Sequence, residues 1–152
     1  MEKKMNKPGI GGGVVIFNEQ GQFLMGKRKS AHANGRYCLP GGWIEFGETI
    51  QEAVQRETME ETGLKIRQIE LLGITENIFK EENKHSVSVV MGACIQSGIP
   101  QVMEPDKCES WIWVNNWNHM PTPTFTDYTR FITAEKIQEY KTKYIFKNQF
   151  TK

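Results

Sequence analysis

The sequence predicts an α/β protein in which a mixed β-sheet carries helices on both sides. Three observations lead there. Short apolar runs with strand character recur between turn signals. One acidic helix interrupts them early, and an amphipathic helix follows the last of them. The resulting order of hairpin, loop, helix, several strands and helix describes a single layered domain spanning 1–152.

Taken in order, residues 1–8 form a polar arm. Gly9 to Phe17 (GIGGGVVIF) reads as a strand with a glycine-rich entry. No helix follows those glycines, so close backbone approach or a sheet edge explains them better than a phosphate loop. Asn18 to Gly21 is a turn and Gln22 to Lys27 a second strand, which together make a hairpin. Lys27, Arg28 and Lys29 end that strand ahead of the presumed phosphate site, which makes Arg28 a candidate substrate contact. Ser30 to Arg36 is a loop in which His32 reads as a surface residue. Tyr37 to Leu39 is a short strand, and Pro40, Gly41 and Gly42 turn the chain toward the helix.

The helix begins at a cap supplied by Glu48 or Thr49 and ends at Gly63, where a left-handed cap residue belongs. At about 100° per residue, Ile50, Ala53 and Val54 share one stripe that should face the core. Glu57 and Glu61 fall on the same stripe, with Glu60 at its edge. Half-buried carboxylates are costly unless they are paired or hold a metal, and three together raise one another's pKa. A hard divalent cation such as Mg2+ removes both costs and takes its remaining ligands from water and phosphate oxygens. The alternative, a solvated Glu-rich surface helix, does not explain the phase of the carboxylates.

Beyond the helix, Ile66 to Phe79 is compatible with a strand of loose alternation, and Lys80 to Lys84 is a charged turn. Ser86 to Ile95 reads as a central strand, Ser97 to Pro105 as a loop and Ser110 to Val114 as a strand. Asn116 to Met120 makes one helical turn before Pro121 and Pro123 break the chain. From Asp127 to about Phe146, Phe131, Ile132, Ile137, Tyr140 and Tyr144 recur at helical spacing, which predicts a C-terminal helix over 127–146 whose aromatics belong to the core.

A net charge of +1 gives no broad electrostatic case for nucleic-acid or membrane partners. No apolar run approaches a transmembrane length, and the N-terminus lacks the apolar segment of a secretory signal. Cys38, Cys94 and Cys108 are few and widely spaced, as expected of reduced thiols in a cytoplasmic protein.

The stretch from Gly42 to Leu64 also resembles the Nudix box, G-x5-E-x7-R-E-U-x-E-E-x-G-U, where U is a bulky apolar residue. Gly42, Glu48, Arg56, Glu57, Glu60, Glu61, Gly63 and Leu64 fit. Thr58 departs from the pattern at the first U, a departure expected to cost packing rather than catalysis, because it points away from the carboxylate stripe. The resemblance implies an α/β/α sandwich with the box helix against the mixed sheet. It implies hydrolysis of a nucleoside diphosphate linked to another group, with Mg2+ (or Mn2+ in its place) held by Glu57, Glu60, Glu61 and the carbonyl of Gly41 or Gly42. It casts Arg56 as a brace for a carboxylate such as Glu48. The general base stays open among Glu61, Glu104 and Glu109.

GKRK, LPGGWIEFGET and EPDKCESWIWV extend the resemblance to the MutT-type nucleoside triphosphate diphosphatases, in particular the MutT-homologue-two branch. In that branch the positions of Arg28, Leu39, Gly42 and Ser88 lie against the nucleotide, and Phe125 becomes a candidate stacking residue. Homodimers are common there. ADP-ribose-type members usually carry a proline about fifteen residues beyond the box. Here none occurs between Pro40 and Pro100, and the SQPWPxS array of NADH-type members is absent too. Both absences favour a triphosphate.

Overall fold

The computed structural model describes residues 6–146, so positions 1–5 of the expected N-terminal arm lie outside the described residues. The chain begins with β1 (Gly9–Phe17), β2 (Phe23–Arg28), β3 (Tyr37–Cys38) and β4 (Gly41–Trp43). Next come α1 (Ile50–Thr62), β5 (Lys65–Phe79), β6 (Lys84–Ser97) and β7 (Cys108–Val114). Two helices follow, α2 (Tyr128–Phe131) and α3 (Ala134–Tyr144).

One mixed sheet runs β3-β2-β1-β6-β5, with β4 paired to β1 and β7 to β2. β1 lies parallel to β6 and antiparallel to β2 and β4, which places it at the centre. That corrects the sheet-edge alternative for its glycines, and close approach is the role they have. A Cβ on Gly12 would lie 3.0 Å from Val54 Cγ1, so its absence lets α1 seat directly on the strand. Likewise Gly41 and Gly42, expected as a turn, are strand residues in register with Gly13 and Gly12.

Alternation on β1 divides the core between two faces. Val14 and Ile16 pack with Leu24, Val54, Leu64, Ile66 and Ala93 on the α1 side. Val15 and Phe17 pack with Phe23, Trp117, Ile132, Ile137 and Tyr140 on the α2–α3 side. Helices on both faces of one sheet make the α/β/α sandwich.

α1 is capped as its sequence asks. Thr49 Oγ1 accepts from the Glu52 N–H, the Glu52 carboxylate accepts from the Thr49 N–H, and Gly63 closes the helix at φ +77°. Ala53 and Val54 are buried, whereas Ile50, at the first helical residue, stays 36% exposed. Thr58 is fully buried and its hydroxyl has no partner.

The expected helix over 127–146 is two helices. Ile132 is extended, and its carbonyl accepts from Trp117 Nε1 at 2.8 Å. Thr133 then caps α3 by accepting from the Lys136 N–H. The helical spacing holds on either side of a break that a long-range hydrogen bond fixes.

Candidate active site

A cleft of about 810 Å³ opens over β1, β4 and β6, between the C-terminal half of α1 and the segment around Phe125. Its lining joins Glu57, Glu60 and Glu61 to Arg28, Leu39, Gly41, Gly42, Ser88 and Phe125. Residues far apart in sequence, singled out separately, therefore share one cavity.

The carboxylate wall is built by α1 lying against β4. A Cβ on Gly42 would sit 2.4 Å from the Glu57 carboxyl carbon, so only glycine lets that carboxylate reach the backbone. Glu61 accepts from the Gly41 N–H at 3.2 Å. Burial pushes the Glu61 carboxyl up to about 8, and the nearby charges of Glu57 and Glu104 add to the rise that the Gly41 hydrogen bond opposes.

Arg56 stands behind this wall and is absent from the cleft lining. Its Nε and Nη2 donate to the two Glu48 oxygens, both at 2.8 Å. Nη1 donates to Glu57 at 2.9 Å and to Glu60 at 3.3 Å, and Nη2 reaches the Trp43 carbonyl at 3.1 Å. The Arg56 bonds to Glu48, with the Glu45 N–H that Glu48 also accepts, hold the Glu48 carboxyl down at about 2. One guanidinium thus ties the loop before the helix to two carboxylates, the geometry of a positioning residue.

The donor set fits a hard divalent cation: carboxylate oxygens on one wall, with Glu61 in no ion pair among the described residues. Among those residues no three His, Cys, Asp or Glu side chains form a cage by themselves, and Arg56 draws Glu57 and Glu60 to its own side.

Glu104 lines the cleft and is paired with Lys107 at 3.3 Å. Glu109, the other candidate base outside the helix, is absent from the lining and faces Lys27 at 3.6 Å.

The opposite end of the cleft is aromatic and polar. Phe79 and Phe125 have ring centroids 5.2 Å apart, and His32 packs edge-on to both. His32 also contacts Glu82, so the residue expected at the surface is part of this wall. Arg28 lies over the Phe125 ring at 5.1 Å while Nε donates to the His32 carbonyl and Nη2 to Ser30 Oγ. The Tyr128 hydroxyl accepts from the Leu39 N–H at 3.1 Å. Thr75, Asn77, Phe79 and Tyr128 also line this end, and none was singled out from sequence. Thr75, Asn77 and Phe79 alternate along β5, a signal that was present but masked by isoleucines in the opposite phase.

The NUDIX domain model matches residues 7–134, so the chain belongs to the Nudix family. A relative from Methanocaldococcus jannaschii named ADP-ribose pyrophosphatase is 40% identical over 75 residues, covering 49% of this chain and 44% of that protein. The chain thus spans less than half the length of that relative. An RNA pyrophosphohydrolase from Pseudoalteromonas atlantica is 26% identical over 151 residues, covering 84% of this chain and 80% of its own. The crystal structure of a MutT NUDIX hydrolase from Burkholderia pseudomallei is similar at a TM-score of 0.75 and 33% identity, covering 88% of this chain and 98% of that one. No helix among the described residues is long and apolar enough to cross a membrane.

Proposed function

We propose that this chain hydrolyses (deoxy)nucleoside triphosphates, unmodified or modified, to monophosphate and pyrophosphate in the presence of Mg2+, with Mn2+ as a substitute. The observation that carries the proposal is one cleft with carboxylates at one end and an aromatic, hydroxyl- and amide-lined pocket at the other. A nucleotide has that polarity, an anionic polyphosphate on one side and a flat heterocycle on the other.

Glu57, Glu60 and Glu61, with the Gly41 carbonyl, would hold the cation, which when bound supplies charge neutralisation and water activation at the phosphates. Arg56 keeps Glu57 and Glu60 in place from behind. Glu61 is the favoured proton acceptor among the candidate bases by position: it stands in the carboxylate wall against Gly41, whereas Glu104 is paired with Lys107 and Glu109 lies outside the cleft lining. Arg28, Leu39, Gly42 and Ser88 contact the nucleotide, and Phe125 stacks on its base. The protein acts as a cytoplasmic homodimer in this proposal, and a monomer mass by light scattering would remove the dimer from it.

The relative named ADP-ribose pyrophosphatase favours a second reading, ADP-ribose, a nucleotide sugar or a dinucleoside polyphosphate at the same carboxylates. Incubation with Mg2+ and a panel of (d)NTPs, oxidised and methylated (d)NTPs, ADP-ribose and diadenosine polyphosphates separates the two by product chromatography. Monophosphate plus pyrophosphate from a triphosphate supports the first. Cleavage confined to ADP-ribose or dinucleotides moves the activity to the second.

A further inference from the structure

At the base end of the cleft, β5 and β6 build a polar floor. Thr75 pairs with Ser88 and Asn77 with Ser86 across the strands, and all four residues line the cleft. Thr75 is 1% and Asn77 2% exposed. Asn77 Nδ2 donates to Ser86 Oγ at 3.0 Å and to Ser88 Oγ at 2.9 Å, which uses both of its N–H groups. Asn77 Oδ1 and Thr75 Oγ1 have no hydrogen-bond partner.

A buried carbonyl oxygen without a donor costs stability, and native proteins leave few of them. An amide oxygen and a hydroxyl, both buried and unpartnered, on two residues of one strand face that line the same cleft, fit a ligand that supplies the missing partners. Resting on the nucleotide reading above, we infer that Asn77 is the residue that selects the nucleobase, by accepting a hydrogen bond from an N–H on the base edge. In this arrangement the two serines take both Nδ2 hydrogens, which leaves Asn77 its acceptor oxygen for the ligand. Thr75 can donate or accept, and therefore tolerates either a ring nitrogen or a carbonyl next to that N–H. The ligand class is a nucleotide whose base carries an amino or imino N–H on its pairing edge. Phe79, on the same strand face, and Phe125 beside it supply the stacking surface.

The test compares dATP and dGTP with the triphosphate of deoxypurine riboside, whose base has no edge N–H, using the wild-type chain and Asn77→Leu. The inference expects wild type to prefer the N–H-bearing bases about ten- to a hundredfold in kcat/KM, mostly through KM. It expects Asn77→Leu to lose that preference, so that all three triphosphates are cleaved with similar kcat/KM. The wild-type series stands even where the variant does not fold, and Thr75→Val then serves as the milder change. Equal cleavage of all three triphosphates by wild type would overturn the inference and leave the triphosphate reading intact; a water satisfying the two oxygens would give that result. A variant that loses every substrate alike through kcat would also overturn it. Where only ADP-ribose is cleaved, the triphosphate reading fails, and the same comparison with the purine-riboside analogue of ADP-ribose decides for or against Asn77. No turnover of any nucleotide would overturn both.

Discussion

Replacing Glu61 by Gln should stabilise the metal-free protein at alkaline pH and leave it unchanged in acid. The Glu61 carboxyl rises from 4.5 to about 8, chiefly through burial, with the charges of Glu57 and Glu104 contributing. Below about 4.5 the carboxyl is protonated in folded and unfolded chains alike, and the stability linked to this proton is fully present. Between 4.5 and about 8 the folded protein holds a proton that the unfolded chain has released, so stability falls as pH rises. The shift sets a ceiling of about 5 kcal/mol on that loss. Glu61 keeps part of its surface in the cleft, where water screens it, which brings the expected value nearer about 2 kcal/mol. Gln mimics the neutral acid and escapes the penalty. Thermal melts in a chelator should therefore show Glu61→Gln matching wild type at pH 4 and melting about 4–8 °C higher at pH 9. Mg2+ should raise the wild-type Tm and move the variant much less. A variant that melts lower by the same amount at both pH values, or a wild type whose stability does not fall with pH, would refute the argument.

Three further outcomes are expected. Arg56→Ala should lower kcat at least tenfold with little change in KM, because it frees Glu57 and Glu60 without touching substrate; a change confined to KM in Mg2+-saturated kinetics would contradict this. Arg28→Ala should raise KM for the triphosphate about tenfold, and unchanged kinetic constants would remove Arg28 from the site. Thr58→Val removes a buried hydroxyl that has no partner while keeping its volume, and should stabilise the fold by about 1 kcal/mol in urea unfolding.

The carboxylate wall was legible because α1 follows its local rules. Thr49 and Gly63 mark its ends, the helical period fixes which glutamates face inward, and a short loop brings Gly42 beneath Glu57. The base end was less legible for a physical reason. On β5, hydrophobicity suggests that Ile74 and Ile78 point inward, yet they are 52% and 53% exposed while Thr75 and Asn77 are buried. The strand turns its polar phase toward the cleft and leaves its apolar phase exposed on the opposite face, the one on which α1 sits. Bulges between Arg67 and Gly73 reset the register, and the sequence marks them only by loose alternation. The C-terminal break at Ile132 was hidden too, since it depends on Trp117, a partner fifteen residues away.

The proposed hydrolysis depends most directly on Glu57, whose carboxylate is wedged between Gly42 and Arg56 at the wall of the cleft. The measurement is Mg2+-dependent release of pyrophosphate from a deoxynucleoside triphosphate by wild type and by Glu57→Gln, with folding of both checked by circular dichroism. Monophosphate and pyrophosphate are expected from the wild type only when Mg2+ is present. A loss of at least about a hundredfold is expected in the folded variant. Wild-type-like turnover by Glu57→Gln, or turnover by wild type in the presence of a chelator, would contradict the proposal.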